Sequence, residues 1–122
     1  MIVVSNTTPL SELAKVGKMY LLRDIFERVV IPVEVYNEVT TGKHPAVQQV
    51  QSANWIEVRV VSNPEEVVRL QMETGLDLGE SAAIVLAEEL KAQRILIDEL
   101  AGRMVATTRN LSVTGTAGVL LI

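Results

Sequence analysis

Short apolar runs alternate with longer stretches of helical periodicity along this chain. The predicted strands cover residues 2–4, 29–31, 55–61, 95–97 and 113–114. The predicted helices cover residues 9–16, 18–26, 32–39, 45–53, 64–74, 77–90 and 99–108, with a short helix at the end. Short apolar strands without alternation, separated by amphipathic helices, indicate a parallel sheet that is buried on both faces.

Proline and glycine mark several boundaries of these elements. Pro9 is well placed as the first residue of the first helix, and Gly17 ends it. Pro32 ends the second strand and starts the next helix, whereas Gly75 closes the helix that begins near residue 64. No linker or repeat divides the chain. We therefore expect a single three-layer α/β/α domain over residues 1–122, with a central and mainly parallel sheet.

Four polar residues fall where such a sheet binds ligands, at the carboxyl ends of its strands. Asn6 follows the first strand, Glu38 lies on the helix after the second, Glu80 begins the long helix, and Asp98 follows the fourth strand. Carboxylates brought together in a cleft form a hard oxygen site suited to Mg²⁺ or Mn²⁺. Such ions support phosphodiester cleavage.

Each of these residues also has a structural interpretation. Asp77 and Glu80 match a capping box, which favours capping, but Glu80 lies on the stripe of Ile84 and Ala87 and so points toward the protein. Capping and metal binding by Glu80 are therefore about equally supported. Asp98 and Asn6 are N-cap candidates for the helices that follow them. Glu38 is the hardest to explain in this way, because a negative charge in the last turn opposes the helix dipole.

The amino-acid composition excludes several kinds of functional site. The 122 residues include no cysteine, which excludes disulfide scaffolds and thiolate zinc sites, and one histidine, which excludes a metal site of several histidines. That histidine, His44, stands beside Pro45 and is expected in a surface turn. Only 3% of residues are aromatic, too few for a surface that binds nucleic acid by base stacking. Any chemistry must therefore depend on oxygen ligands.

Charge and hydropathy bear on which partners and which cellular compartment we expect. Fifteen acidic residues outnumber eleven Lys and Arg, for a net charge of −4, so a nucleic-acid substrate would need help from cations. The chain shows no basic leader and no apolar run near the ~18 residues of a membrane span. We expect a cytoplasmic protein that does not bind membranes.

Five segments with these residues appear in the order seen in PIN domain proteins: 3–10, 29–32 with Glu38 beyond, 76–80, 95–99 and 113–116. The chain resembles the small prokaryotic PIN proteins related to VapC-type toxins over its whole length. That resemblance implies a ribonuclease that binds Mg²⁺ or Mn²⁺, is commonly a homodimer and is often inhibited by an antitoxin protein. The family's acidic positions, catalytic and metal-binding, fall on Asn6, Glu38, Glu80 and Asp98.

Two features depart from the family pattern. Asn6 stands where most members carry Asp, so this site has one negative charge fewer and three carboxylates. Metal affinity and activity are expected to fall. The chain also stops on the apolar run 118–122, where relatives usually continue. We interpret this as a C-terminal truncation or a missing tail, and an uncovered apolar end would favour oligomerisation.

The leading hypothesis is a Mg²⁺- or Mn²⁺-dependent endoribonuclease, the toxin of a toxin-antitoxin pair, in which Thr7 and Arg103 contact the RNA. Arg103 has an alternative role in a salt bridge with a site carboxylate. The alternative function, favoured by Asn6, is a weakly active or inactive PIN fold that binds RNA or protein. A receiver-like phosphoacceptor domain ranks third, because no convincing lysine follows the last strand.

Overall fold

A central sheet of five parallel strands organises the part of the chain that this computed structural model describes, residues 1–43 and 46–122. The strand order is β3-β2-β1-β4-β5, and every neighbouring pair is parallel. The strands are β1 (Val3–Ser5), β2 (Val29–Pro32), β3 (Ile56–Arg59), β4 (Arg94–Leu96) and β5 (Val113–Thr114). The predicted α/β class and the parallel sheet are confirmed.

Eight helices in the described part of the chain connect and cover the strands. They are α1 (Thr7–Lys15), α2 (Tyr20–Phe26), α3 (Val33–Val39), α4 (Val47–Ser52), α5 (Pro64–Thr74), α6 (Leu78–Glu89), α7 (Leu100–Thr108) and α8 (Thr116–Leu120). Every predicted helix has a counterpart. The expected start of the fourth helix at Pro45, and the surface turn expected at His44, lie outside the described residues.

Several boundaries differ from the prediction for local reasons. Helix α1 begins at Thr7, so Pro9 is its third residue and not its first. Proline is tolerated there because the amides of a first helical turn have no partner within the helix. Pro32 belongs to β2, and α3 begins one residue later. Strand β3 ends at Arg59, the last of its residues that pairs with β2, although strand composition extends to residue 61.

Two apolar cores lie on the opposite faces of the sheet, because successive strand residues point in opposite directions. Val3 and Leu96 face a core built with α1, α2, α3, α4 and α8. Val4 and Ile95 face a second core with α5, α6 and α7. The molecule is therefore the expected three-layer sandwich. No helix of the described residues is long and apolar enough to cross a membrane.

Helix α6 is buried around its whole circumference from Gly79 to Ala87. The sequence pattern predicted a single apolar stripe through Ala83, Ile84 and Ala87, but the small residues of α6 let neighbours approach from all sides. Helices α3 and α5 and strands β1, β2 and β4 all contact it. This packing holds the first turn of α6, with Glu80, at the carboxyl edge of the sheet.

The chain leaves β1 and β4, which are neighbours, toward opposite faces of the sheet. After β1 it enters α1, whose Leu10 and Leu13 join the first core. After β4 it enters α7, whose Ala106 joins the second core. This divergence is the topological switch point, where open α/β sheets form a crevice at the carboxyl ends of their strands.

Candidate metal centre

Asn6 lies at the switch point, directly after β1. Its backbone amide donates to the Leu96 carbonyl at 2.9 Å, which extends the pairing of β1 with β4. The residue occupies the N-cap position of α1, but its side chain makes no capping hydrogen bond, so the capping interpretation of this side chain is wrong. Instead the buried amide reaches α7, where Nδ2 lies 3.5 Å from Glu99 Oε2.

Three side-chain oxygens converge on the backbone of Gly79 in the first turn of α6. A Cβ atom at this position would lie 2.9 Å from Glu38 Oε2, 3.5 Å from Asn6 Oδ1 and 3.8 Å from Asp77 Oδ1. Only glycine leaves this space open. We call this oxygen-lined space, bounded by Asn6, Glu38, Asp77 and Gly79, the Gly79 pocket.

Glu80 is buried beside this pocket, with 7% of its surface exposed. Its Oε2 atom accepts no hydrogen bond from any residue that the structure describes, and it points at α7, 2.6 Å from the place of a Cβ on Gly102. Burial, and then the negative charges of Asp77 and Glu99, raise the pKa of Glu80 to about 7. A hydrogen bond from the Asp77 backbone opposes this rise.

The capping box expected at the start of α6 is present. Asp77 Oδ1 accepts from the Glu80 backbone amide at 2.8 Å, and Asp77 is the N-cap residue. The capping and functional interpretations of Glu80 therefore do not compete. Capping accounts for the place of Glu80 in the helix, but not for its buried oxygen without a partner among the described residues.

Asp98 occupies the other side of the crevice and binds the start of α8. Its Oδ1 accepts from the Thr116 backbone amide at 2.6 Å, and its Oδ2 accepts from the Thr116 hydroxyl at 2.5 Å. The N-cap residue of α7 is Glu99, so the prediction that Asp98 caps this helix is wrong. The physical reason is that the Asp98 side chain turns toward Thr116. Thr116 is the first residue of α8, which follows the neighbouring strand β5.

The two predicted substrate contacts have different surroundings. Thr7 is buried, and its hydroxyl has no partner among the described residues. Arg103 is half-buried, and its Nη1 donates to the Ile97 carbonyl at 3.4 Å. The guanidinium lies beside Asp98 near Gly115, yet the ion pairs within the described ranges do not include it, so the salt-bridge interpretation is not supported.

The structure thus brings only part of the predicted set together. Asn6 and Glu38 share the Gly79 pocket, Glu80 adjoins it, and Asp98 is held at Thr116. Within residues 1–43 and 46–122, no group of three or more Asp, Glu, His or Cys side chains is already arranged to hold a metal ion. Three carboxylates around one ion therefore remain a prediction.

The donors present nevertheless fit a hard divalent cation. All are carboxylate or amide oxygens, which Mg²⁺ and Mn²⁺ prefer. The buried Glu80 Oε2 lacks a hydrogen-bond donor among the described residues, and the missing Cβ of Gly79 leaves room between oxygens. A cation would also offset the repulsion that raises the pKa of Glu80.

Two residues near the site are not predicted from the sequence. The capping box explains Asp77 in the sequence, although its carboxylate also lines the Gly79 pocket. Glu99 matches the start of a helix in the sequence, although it contacts Asn6 and accepts from the Thr8 hydroxyl at 2.5 Å. The available signal for Glu99 was a second acidic residue next to Asp98, directly after a buried strand.

Comparisons with solved structures support the fold. The chain is similar to a PilT N-terminus domain protein, SSO1118, from the archaeon Sulfolobus solfataricus P2, with a TM-score of 0.73 and 18% identity over 99% of this chain and 92% of that one. It is also similar to PAE2754 from Pyrobaculum aerophilum, with a TM-score of 0.65 and 18% identity over 99% of this chain and 93% of that one.

Sequence comparison identifies the family. No curated protein matches the chain. The family model DUF3368, described as a PIN domain, matches residues 2–122. This match agrees with the three-layer fold and with the acidic edge at the switch point. The chain therefore belongs to the PIN domain family, whose members are generally nucleases and typically use divalent metal ions.

Proposed function

We propose that this protein is a Mg²⁺- or Mn²⁺-dependent endoribonuclease that cuts at the carboxyl edge of its sheet. The observation that carries the proposal is the buried Oε2 of Glu80, which has no hydrogen-bond donor among the described residues and lies beside the Gly79 pocket. A buried carboxylate oxygen without a partner is costly unless a ligand compensates it. A divalent cation is the ligand that fits.

Asn6, Glu38, Glu80 and Asp98 would hold the ion. Each Asp98 oxygen accepts one hydrogen bond from Thr116 and keeps lone-pair capacity for a cation. When bound, Mg²⁺ or Mn²⁺ would stabilise charge on the phosphate oxygens and acidify water for attack on phosphorus. Asn6 contributes a neutral carbonyl, so the binding set carries three charges.

The remaining chemistry belongs to the protein's own side chains. Glu80 has a pKa of about 7, so about half of its carboxyl groups carry a proton at neutral pH. That proton must leave for the carboxylate to act as a full ligand. Arg103 uses one of its five N–H donors on Ile97, which leaves others to bind a phosphate oxygen of RNA.

The biological setting is proposed from the resemblance to VapC-type proteins. We place the protein in the cytoplasm as a homodimeric toxin, with RNA as substrate and an antitoxin protein as inhibitor. Leu100 and Met104 on α7, which are 72% and 61% exposed, offer apolar surface for a protein partner. Thr7, next to Asn6, is proposed to contact substrate if the start of α1 shifts enough to expose its hydroxyl.

A second candidate function is a PIN fold that binds RNA or protein without cutting it. Asn6 favours this candidate, and so does the finding that the described side chains form no ready group of three metal-binding residues. The two candidates are distinguished by whether the protein hydrolyses RNA.

Cleavage of a structured RNA with Mn²⁺ tests the proposal. We expect the wild type to cut, and Glu38→Gln, Glu80→Gln and Asp98→Asn each to lower the rate by about 100-fold or more, because each removes a charged ligand. Glu73→Gln, an exposed carboxylate change on α5, is the matched control and should cut normally. A wild type that binds RNA without cutting it would support the second candidate. Equal cutting by Asp98→Asn would show that Asp98 is not part of the site.

A further inference from the structure

We propose that Glu99 is a positioning residue that fixes the orientation of the Asn6 amide and replaces the charge that Asn6 lacks. The orientation of the Asn6 amide concerns the protein without metal. The replacement of the missing charge rests on the proposed function, because it concerns binding of the cation. The observation behind both is the contact across the switch point between Asn6 Nδ2 and Glu99 Oε2.

The orientation of the Asn6 amide decides whether the residue can serve as a ligand. Its Oδ1 faces the Gly79 pocket together with Glu38 Oε2, while its Nδ2 faces Glu99. In the opposite orientation the NH₂ group would line the Gly79 pocket beside Glu38 Oε2, and we expect this carboxylate oxygen, a strong acceptor, to attract it. That donor would then occupy the space between the oxygens. Glu99 therefore competes with Glu38 for the NH₂ group and keeps the carbonyl oxygen in the pocket.

Glu99 is itself held in place for this contact. Its Oε1 accepts from the Thr8 hydroxyl at 2.5 Å, whereas its Oε2 faces Asn6. Glu99 is the N-cap residue of α7, but its side chain makes no capping hydrogen bond. Helix capping consequently does not explain the position of this carboxylate. Thr8 and Asn6, both at the start of α1, do explain it.

The charge balance of the site follows from the same contact. Asn6 supplies an oxygen without a charge, and Glu99 brings a carboxylate oxygen to 3.5 Å from the Nδ2 atom of the same amide. An Asn6→Asp substitution would place a second carboxylate against Glu99, where the two negative charges repel. We therefore expect this substitution to destabilise the metal-free protein unless the Glu99 charge is also removed.

A double-mutant cycle in metal-free protein at pH 8 tests the contact through the midpoint of thermal unfolding. Asn6→Asp alone should lower the midpoint by about 3 °C or more. Adding Glu99→Gln, which removes the charge and keeps an acceptor, should recover most of that loss. In the control cycle, Glu73→Gln should add nothing to Asn6→Asp. Strict additivity of Asn6→Asp and Glu99→Gln would overturn the proposal.

The Asn6 amide gives a second readout without metal. In the ¹⁵N–¹H spectrum, Glu99→Ala and Thr8→Val should both shift the side-chain NH₂ signals of Asn6, and Glu73→Gln should leave them in place. Unchanged signals in Glu99→Ala would show that Glu99 does not hold the amide.

Mn²⁺ titration of the same proteins tests the consequence for the cation. Glu99→Ala should weaken binding by about tenfold, as expected for a residue that orients a ligand. Glu99→Gln should weaken it less, and the double variant Asn6→Asp with Glu99→Gln should bind at least as tightly as the wild type. If the wild type binds no Mn²⁺, the proposed function fails while the unfolding cycle and the NH₂ signals still decide the role of Glu99.

Discussion

Glu38 and Glu80 carry the same functional group in opposite surroundings. Glu38 is exposed at the end of α3, with one oxygen at the Gly79 pocket. Glu80 is buried, and one of its oxygens has no hydrogen-bond partner among the described residues. Topology alone predicted that both would lie at the carboxyl edge. Their degree of burial could not be predicted, because it depends on how closely α7 approaches α6 at Gly102.

The burial of Glu80 predicts a specific dependence of stability on pH. The pKa of this carboxyl group is about 7 in the folded protein, against an ordinary value of 4.5 that applies to the unfolded chain. Between these values the folded protein holds a proton that the unfolded chain has lost. The free energy of unfolding should therefore fall as pH rises from 4.5 to 7, by about 2–3 kcal/mol from this residue, and stay level above pH 7.

Urea unfolding of metal-free protein at pH 5 and pH 8 measures this dependence. Glu80→Gln should lose the contribution and be more stable than the wild type at pH 8, whereas Glu73→Gln should behave as the wild type. A Glu80→Gln protein with the same difference between pH 5 and pH 8 as the wild type would refute the assigned pKa.

At the scale of elements, the candidate site lies where several helices begin and where glycines leave room for neighbouring side chains. Helices α1, α6, α7 and α8 all begin at the carboxyl edge, and Gly79, Gly102 and Gly115 allow side chains of neighbouring elements to approach their backbones. The sequence predicted where α1, α6 and α7 begin to within two residues. It could not predict that Asp98 binds α8 instead of capping α7, because the direction of a side chain at a helix start depends on which neighbour lies beside it.

The prediction at the scale of elements concerns Gly102, where α7 approaches Glu80. A Cβ atom there would lie 2.6 Å from Glu80 Oε2 and 3.1 Å from Ile97 Cγ2. Gly102→Ala should destabilise the protein by about 1–3 kcal/mol, although alanine favours a helix more than glycine does. Because the nearest clash is with Glu80, the loss should be smaller when measured in a Glu80→Ala background. Equal losses in the two backgrounds would show that α7 does not press on Glu80.

Over the whole molecule, the sheet order explains why residues from distant parts of the sequence meet. Strand β1 lies between β2 and β4, so residue 6 comes close to residues 79 and 99. The pattern of short strands and helices predicted this edge and placed Asn6, Glu38, Glu80 and Asp98 on it. The roles of Asp77 and Glu99 could not be predicted, since both match ordinary residues at the starts of helices and only the packed molecule brings them to Asn6.

The central claim is that the Gly79 pocket and Glu80 form a divalent metal site, and Mn²⁺ titration of the Gly79→Ala variant tests it most directly. The added methyl group would lie 2.9 Å from Glu38 Oε2, an exposed side chain that can move aside, and alanine favours the helix by up to about 1 kcal/mol. We therefore expect the variant to fold with an unfolding midpoint equal to or above that of the wild type, and to bind Mn²⁺ at least about tenfold more weakly. A folded Gly79→Ala protein that binds Mn²⁺ as tightly as the wild type would contradict the account.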